Sequence, residues 1–570
     1  MTMKRHWLAG ACMTLGLMIS ASATVRADDA LDKAAADPNN WAMYSHGYDN
    51  TRFSPLKEIT PANVGNLKLA YAFQLGSLRS NESSPLVIGD TLYVTTSWGP
   101  KYVYALNAKT GQQKWKYEPE IPEDVLQYAC CDVNSRGVSY GDGKLFVGRL
   151  DGKLAALDAA TGKELWVADV VDYKQGSVIT SPPVVAKNVV ITGFGGGEYG
   201  ARGSLQAYDI KTGKQVWKTF TVPGPGEAGN ETWKGDSWQH GGGVAWLVGS
   251  YDPKTNTVFY GTSNPGPWNS VVRSTGDSNY GKLTNLYTAS TVALDVDTGK
   301  IKWGVQSTPE DAWDYDGVNE LVLADLKIGG QATPVYMKAD RNGFFYVVNR
   351  ETGKIVSAEK YIYQNWAEKV DLATGQPVEI SEKRPGPNHP VKDVCPNLIG
   401  GKNWQPMSFN PDTGLVYIPT NNVCMDWSVS DVNYKKGVFY LGADFPTHGG
   451  PGGFLGELVA WDPVAQKKVW SVKTDLPFNG GTLSTAGGLT FWGDLHGVFH
   501  AYDAKSGAEA WKVGLGSGIG AGPISFAVDG KQYVAVVAGR TASIPAFLGD
   551  VGKAMTAATP EGGTLFVFTE

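Results

Sequence analysis

The sequence contains little of what many metal, haem and nucleic-acid sites require. Its 570 residues include only seven histidines and five cysteines. No Cys-x-x-Cys-His motif and no zinc-type spacing of cysteine and histidine occurs. Aspartate and glutamate outnumber lysine and arginine by 56 to 50, giving a net charge of −6, and no basic run is present. These absences argue against covalent haem, a histidine-based metal site and nucleic acid as a partner.

Long hydrophobic runs are missing as well. The apolar stretch Trp7–Ile19 follows a basic start and is shorter than the ~18 residues that a membrane span needs. A stretch of small residues comes next, which is typical of a secretory signal peptide. We expect residues 1–27 to be a signal peptide cleaved after Ala27, with Ala23 as the alternative, and we expect no membrane span. The mature chain, 28–570, would then be exported to the periplasm.

Four cysteines remain after such cleavage, namely Cys130, Cys131, Cys395 and Cys424. An oxidising compartment favours disulfides, and four cysteines permit three different pairings. Their positions along the chain leave the pairing open.

The chain is rich in glycine and tryptophan, with 71 and 19 residues, and many of them belong to a repeat. Copies such as ALDAATGKELW predict a strand, a Thr-Gly turn and a second strand that ends at a tryptophan. In most copies another strand precedes the repeat. The repeat tryptophans are Trp115, Trp166, Trp217, Trp303, Trp470 and Trp511, and a degenerate copy without tryptophan spans Tyr346–Ser357.

Repeated four-stranded units of this kind predict an all-β fold, an eight-bladed β-propeller with tryptophan-docking repeats. Residues 28–570 would form a single propeller domain whose blades average about 68 residues. A β-helix or a tandem of sandwiches is the alternative, although neither requires one tryptophan per repeat. We expect the inserted loops to build a site at one end of the propeller. The clearest insertions are Pro223–Gly243, Pro265–Thr288 and Gln376–Lys402.

Several further motifs occur in a fixed order: ACCDVNSRG, GGGEYGARG, GTSNPGPWNS, TPEDAWDYDGVNE, ADRNGFFYVVNR and NNVCMDW. With the tryptophan repeats, they resemble the quinoprotein alcohol dehydrogenases, and the resemblance runs from about Asn40 to the C-terminus. That family carries pyrroloquinoline quinone (PQQ) on the axis of an eight-bladed propeller. A non-catalytic propeller, the alternative, would share the tryptophan repeats but has no reason to carry the other motifs.

The resemblance implies a metal site with Glu198, Asn264 and Asp314 as ligands. All three offer oxygen, which hard cations prefer. Without the resemblance, Glu198 would be read as a turn residue and Asn264 as an Asn-Pro turn former.

A second aspartate, Asp316, stands where calcium-using relatives carry a small uncharged residue and lanthanide-using relatives carry aspartate. In an extended segment Asp314 and Asp316 would point to the same side and converge on one ion. Each added carboxylate favours a trivalent over a divalent ion. We therefore expect lanthanum, cerium or praseodymium in this site, with calcium as the alternative, and Asp316 as an additional ligand.

The resemblance also implies how PQQ is held. Trp246 would stack beneath the ring, and a disulfide between Cys130 and Cys131 would cover the opposite face, while Cys395 and Cys424 would form a second, structural disulfide. Two departures from the family pattern affect these contacts, since Asn479 replaces a tryptophan and Gly195 lies where many members have a serine. Contacts to the edge of the quinone are implied for Glu82, Arg136, Thr180, Arg341 and Asn403.

The sequence thus predicts a periplasmic PQQ-dependent alcohol dehydrogenase that oxidises primary alcohols to aldehydes. Asp314 would be the general base and Arg341 would stabilise charge on the reduced quinone. No haem domain follows the propeller, so electrons would pass to a separate, soluble cytochrome c. A sugar alcohol, a polymer or an aromatic alcohol is the alternative substrate, and a non-catalytic scaffold is the alternative function. The oligomeric state is left open, with a homodimer as one alternative.

Overall fold

The fold is described from a computed structural model over residues 1–2, 27–277, 280–542 and 544–570. The predicted signal peptide lies almost entirely outside these described residues. Across them, no helix is long and apolar enough to cross a membrane. The α-helices of the described chain are Ala27–Ala36 and Gly549–Ala558, and nearly all other regular structure is β-strand.

Eight antiparallel sheets, called blades 1 to 8 here, follow one another along the described chain. The early strands of a blade are buried, whereas the last strand alternates between exposed and half-buried residues, as in Gln113–Tyr117. The first four blades have the following strands: Leu86–Ile88, Thr91–Thr95, Val103–Asn107 and Gln113–Tyr117 in blade 1; Ser139–Gly141, Lys144–Gly148, Lys153–Asp158 and Glu164–Asp169 in blade 2; Val184–Ala186, Val189–Thr192, Ser204–Asp209 and Gln215–Phe220 in blade 3; Ser250–Asp252, Thr257–Gly261, Ser290–Asp295 and Ile301–Gln306 in blade 4.

The later blades repeat this arrangement with larger insertions. Their strands are Val322–Ile328, Gln331–Ala339, Phe344–Asn349 and Ile355–Lys360 in blade 5; Ser408–Asn410, Leu415–Asn421, Gly456–Asp462 and Lys467–Thr474 in blade 6; Thr482–Thr485, Leu489–Gly493, Val498–Asp503 and Glu509–Gly514, with Phe53–Ser54 added in parallel, in blade 7; Ile524–Val528, Lys531–Ala538, Thr564–Thr569 and Lys68–Gln74 in blade 8. The insertions around blade 6 form a hairpin, Ala367–Asp371 with Gln376–Glu379, and a small sheet of Val391–Val394, Val423–Val429, Ala443–Asp444 and Thr447–Gly449.

The ring is closed by the two ends of the chain. Strand Lys68–Gln74 pairs antiparallel with Thr564–Thr569, so an N-terminal strand completes a blade that the C-terminal residues begin. This pairing leaves no open end between blade 8 and blade 1. The predicted eight-bladed all-β propeller is confirmed.

The repeat tryptophans join each blade to the next. Trp115 of blade 1 lies on the turn of blade 2, where its Nε1 donates to the Ala159 carbonyl at 3.1 Å. A Cβ atom on Gly162 in that turn would come within 2.5 Å of the Trp115 ring. Gly162 also has a φ of 73°, so this glycine serves both the turn and the close approach. The same pairing recurs for Trp166 with Gly213, Trp217 with Gly299, Trp303 with Gly353 and Trp470 with Gly507.

Three junctions depart from this rule. Between blades 7 and 8, Trp511 packs against Phe568 with ring centroids 5.5 Å apart. At the ring closure Tyr71 takes the place of the tryptophan, and its hydroxyl donates to the Ala108 carbonyl at 3.0 Å. Between blades 5 and 6 the degenerate copy provides no tryptophan, and Trp461 packs against Phe345 with ring centroids 5.8 Å apart. The prediction that each second strand ends at its tryptophan is wrong in detail, because Gln113–Tyr117 continues beyond Trp115.

The docking contact is tested by comparing Gly162→Ala with Gly143→Ala. Both glycines lie in blade 2 with φ near 70°, but nothing approaches a Cβ at Gly143 within 4 Å. We expect Gly143→Ala to destabilise by about 1–2 kcal/mol through backbone strain. Gly162→Ala should add about 1–3 kcal/mol for the clash with Trp115. Thermal unfolding of both variants measures the difference, and equal melting temperatures would contradict the docking role.

Candidate active site

The connections at one end of the propeller line a cavity. The lining residues come from connections between or within different blades, so the site depends on the whole ring. The lining residues include Cys130, Cys131, Arg136, Thr180, Gly195, Glu198, Trp246, Trp268, Asp314, Arg341, Leu398, Ile399, Asn403, Phe439, Leu441, Ile544 and Phe547.

Two disulfides are present in the part of the chain that the structure describes. Cys130 is bonded to its neighbour Cys131, and this pair lines the cavity. Cys395 is bonded to Cys424, which lies in the small sheet of the blade 6 insertion. Of the three pairings that the sequence left open, this is the one that the resemblance implied.

A buried ion pair occupies one edge of the cavity. Arg136 Nη2 lies 2.9 Å from Glu82 Oε2, with exposed side-chain fractions of 4% and 1%. Arg136 Nη1 donates to Thr180 Oγ1 at 2.8 Å, and the guanidinium carbon lies 5.2 Å from the Trp246 ring centre. Burial raises the pKa of Glu82 to about 7, although Arg136 opposes the rise. Glu82 thus lies behind Arg136 and fixes the guanidinium at the cavity wall.

Asp314 and Asp316 both lie beside Arg341. Arg341 Nη1 is 3.6 Å from Asp314 Oδ2, and Nη2 is 3.2 Å from Asp316 Oδ2. The expectation of an extended segment is wrong, because Asp314 has a φ of 66° and lies in the left-handed region. The alternation of side chains in a strand therefore does not apply here, and the guanidinium of Arg341 brings the two carboxylates together.

Asp316 connects the tryptophan of the cavity to the Asn264 loop. Its Oδ2 accepts from Trp246 Nε1 at 2.8 Å, and its Oδ1 accepts from the Asn264 backbone N–H at 2.6 Å. Trp246 is therefore held by its ring nitrogen. The side-chain oxygens of Asp316 are already engaged by these two donors and by Arg341.

Buried oxygens without a hydrogen-bond partner mark the centre of the site. Asp314 Oδ1 and Asn264 Oδ1 are two of them. Such groups are costly to bury unless something compensates them, and a cation would do so. The oxygens of Glu198, Asp314 and Asp316 do not lie within 4.8 Å of one another, since among described residues only Asp393 and the disulfide-bonded Cys395 and Cys424 meet that condition.

The carboxylates around these oxygens raise one another's pKa. Burial and the nearby Asp316 raise the pKa of Glu198 to about 7. Burial raises the pKa of Asp314 well above its usual range, Arg341 opposes the rise, and Asp316, Glu198 and Asp311 add to it. Asp311 itself has a pKa of about 7, chiefly through burial. Arg341 lowers the pKa of Glu198 and Asp314, and Arg273 lowers that of Asp311, but burial and the neighbouring carboxylates outweigh both arginines.

Two of the positions singled out in the sequence have other local contacts. Asn403 Oδ1 accepts from the Trp404 N–H and its Nδ2 donates to the Ile399 carbonyl, both at 2.9 Å, so this lining residue is held by its own loop. Asn479 is bonded to Thr474 and Leu476 and does not line the cavity. Gly195, the other departure from the family pattern, lines the cavity.

Sequence reasoning missed a group of apolar residues in the cavity lining. This group, called the mouth here, consists of Trp268, Phe439, Leu441, Ile544 and Phe547. Phe439 stacks on Tyr199 with centroids 4.7 Å apart, and the backbone N–H of Trp268 donates to the Leu441 carbonyl at 2.8 Å. The other members of the mouth, Ile544 and Phe547, come from the insertion in blade 8. Trp268 stood in a recognised motif, but the other side chains carried no local signal, because they become neighbours only in the folded ring.

Comparisons with known proteins agree with this geometry. Residues 41–394 and 454–534 match the family model of the PQQ glucose/ethanol/alcohol dehydrogenase β-propeller domain. The lanthanide-dependent methanol dehydrogenase of Methylacidiphilum fumariolicum is 41% identical over 97% of this chain and 96% of its own length. The quinoprotein ethanol dehydrogenase of Pseudomonas aeruginosa is 39% identical over 94% and 91%. A solved europium-containing methanol dehydrogenase superposes with a TM-score of 0.91 at 40% identity, over 95% of this chain and 100% of that one.

The two disulfides are tested by peptide mapping without reduction. We expect one peptide that contains the bond between Cys130 and Cys131 and a cross-linked pair that joins Cys395 to Cys424. Blocking thiols before digestion should label none of the four. A bond from Cys130 to Cys395 or Cys424 would contradict the arrangement, and Cys395–Cys424 is the internal control because it lies apart from the cavity wall.

Proposed function

The chain belongs to the PQQ-dependent alcohol dehydrogenases, and from this premise we propose that it oxidises primary alcohols to aldehydes with a lanthanide ion beside PQQ. The observation that carries the proposal is a single cavity. It combines a disulfide of adjacent cysteines, Trp246, two buried arginines and the unpartnered Asp314 Oδ1.

The lining residues fit a flat, anionic quinone. Cys130–Cys131 and Trp246 offer the surfaces between which a planar ring can lie, and Arg136 and Arg341 lie within 5.2 and 5.6 Å of the Trp246 ring centre. Guanidinium groups bind carboxylates and ring oxygens well, because their planar donors match such acceptors. Thr180 and Asn403 belong to the same rim, and Glu82 keeps Arg136 in place.

The acidic groups fit a highly charged metal ion. Glu198, Asp314 and Asn264 would provide oxygen ligands, and the unpartnered oxygens of Asp314 and Asn264 support this assignment. Asp316 adds a further negative charge next to Arg341. Because Coulomb attraction scales with the product of the charges, this surplus favours a lanthanide such as lanthanum, cerium or praseodymium over calcium. The lanthanide-dependent name of one relative is consistent with this choice.

Asp314 is the proposed general base that takes the proton of the alcohol hydroxyl. Its pKa is raised by burial and by neighbouring carboxylates, and a base works best when its pKa lies near the working pH. When bound, PQQ would supply the hydride-accepting chemistry, and the metal ion would supply Lewis acidity beside it. Arg341 lies next to Asp314 and would stabilise negative charge that develops at the ring edge.

The mouth of the cavity favours small apolar alcohols over sugar alcohols and polymers. Trp268, Phe439, Leu441, Ile544 and Phe547 contribute apolar surface to the cavity lining. A sugar alcohol would have to leave several hydroxyl groups without partners there, which is costly. We therefore propose ethanol-like primary alcohols as substrates, with aromatic alcohols as the alternative that this mouth also suits.

We also propose that the protein works in the periplasm and passes its electrons to a soluble cytochrome c. The signal-like sequence at the N-terminus supports export. The two disulfides support an oxidising compartment. Residues 28–570 would then be the working propeller domain.

The role of Asp314 is tested by Asp314→Asn. Loss of the base should lower kcat by about 10²–10⁴-fold, while PQQ binding, followed by absorbance, is largely kept. Asp311→Asn is the matched control, because its Oδ1 accepts from the Trp313 N–H at 2.9 Å and an amide oxygen can keep that bond. We expect this control to retain most activity. Near-normal turnover of Asp314→Asn would remove Asp314 from the mechanism.

The role of Asp316 is tested by metal reconstitution of the wild type, Asp316→Asn and Asp316→Ala. Wild-type activity should be much higher with lanthanum than with calcium. Asp316→Asn removes the charge and can still accept the Asn264 N–H bond, so it separates charge from loop position. We expect both variants to lose lanthanum-dependent alcohol oxidation. Equal activation of the wild type by calcium, or a variant that still responds fully to lanthanum, would contradict the lanthanide assignment.

A further inference from the structure

A fully buried arginine outside the cavity, Arg273, joins the two loops that carry Asn264 and Asp314. Its exposed fraction is 0%. Nε donates to the Pro267 carbonyl at 2.8 Å, and Nη2 donates to the Asp311 carbonyl. Pro267 follows Asn264 by three residues, and Asp311 precedes Asp314 by three. One rigid guanidinium therefore spans the bases of both loops.

The orientation of this guanidinium is fixed by a third partner. Nη1 donates to Asn285 Oδ1 at 2.7 Å. Asn285 Nδ2 in turn donates to the carbonyls of Thr232, at 3.2 Å, and of Arg273 itself, at 3.1 Å. Because the asparagine is anchored at both ends of its amide, Arg273 cannot turn away without breaking several buried hydrogen bonds.

The loop before Asp314 needs such external support. Four acidic residues fall within the seven positions Glu310–Asp316, and Glu310 and Asp314 have φ values of 46° and 66°. Like charges and left-handed residues both disfavour this compact turn. A second buried arginine, Arg384, holds its other side by donating to the Glu310 carbonyl at 2.8 Å, with its guanidinium carbon 5.1 Å from the Trp313 ring centre.

We propose that Arg273 is a positioning residue that sets the separation of Asn264 and Asp314, and with it the affinity and selectivity of the metal site. The inference rests on the proposed metal site. Arg273 does not touch the cavity, so it acts through the Pro267 and Asp311 carbonyls. Its positive charge contributes less than its shape, because bridging two carbonyls requires the planar fork that arginine has and lysine lacks.

The experiment measures metal binding apart from turnover. Terbium is titrated into the metal-free full-length protein, and its luminescence is excited through the tryptophans, since Trp246 and Trp268 line the cavity. Arg273→Met should raise the terbium Kd by about 10–100-fold, the range typical when a partner behind a metal ligand is lost. Arg273→Lys keeps the charge but not the fork and should remain clearly weakened.

Arg350→Met is the matched control. Arg350 is 9% exposed, donates to the Ala324 carbonyl at 2.8 Å and pairs with Asp252 and Asp325 between blades 4 and 5. It lies outside the cavity lining. We expect it to lower the melting temperature as Arg273→Met does and to leave the terbium Kd unchanged.

The outcomes separate this inference from the proposed function. A wild type that does not bind terbium would refute the metal site itself. A wild type that binds, with an unchanged Kd in Arg273→Met or full recovery in Arg273→Lys, would overturn the positioning role. If Arg273→Met does not fold, Arg273→Gln and Arg273→Lys are measured by the same criterion, and a wild-type Kd in both would overturn the role equally.

Discussion

The concentration of buried negative charge at the cavity is the constraint on which the rest of the structure depends. Burial raises the pKa values of Glu198, Asp311 and Asp314, and the nearby Asp316 adds to each rise. Arg341 is the cation that contacts both Asp314 and Asp316. Carboxylates buried together repel one another and would move apart if the surrounding structure could deform. They stay close only within a rigid frame.

The closed propeller provides that frame. Four loops carry the central residues of the site, and each begins and ends at a strand of blades 3 to 5. They bear Glu198, Trp246, Asp314 and Arg341. Most blades are fixed to the next by a tryptophan on a glycine turn, as Trp166 is on Gly213. Because Lys68–Gln74 completes blade 8, the ring has no free edge at which the blades could spread. Repulsion at the axis is therefore resisted by packing distributed over the whole ring.

Much of this could be predicted from the sequence, because the determinants are local. A strand, a Thr-Gly turn and a tryptophan recur within a dozen residues, and the motifs of the site occur in one order. What could not be predicted depends on residues far apart in the chain. The left-handed backbone of Asp314 arises from a loop held by Arg273 and Arg384. Ile544 and Phe547 reach the cavity mouth only because blade 8 lies next to blade 1 in the closed ring.

Asp316 shows why charge and position cannot be treated separately in this site. One oxygen accepts the Asn264 N–H, the other accepts Trp246 Nε1, and Arg341 lies 3.2 Å from the second. The same carboxylate thus orients a candidate metal loop, the aromatic surface beneath the proposed quinone and the arginine beside it. A small uncharged residue would remove one negative charge and at once release three groups. In the proposed function, metal preference would therefore be a property of this connected network rather than of one added ligand.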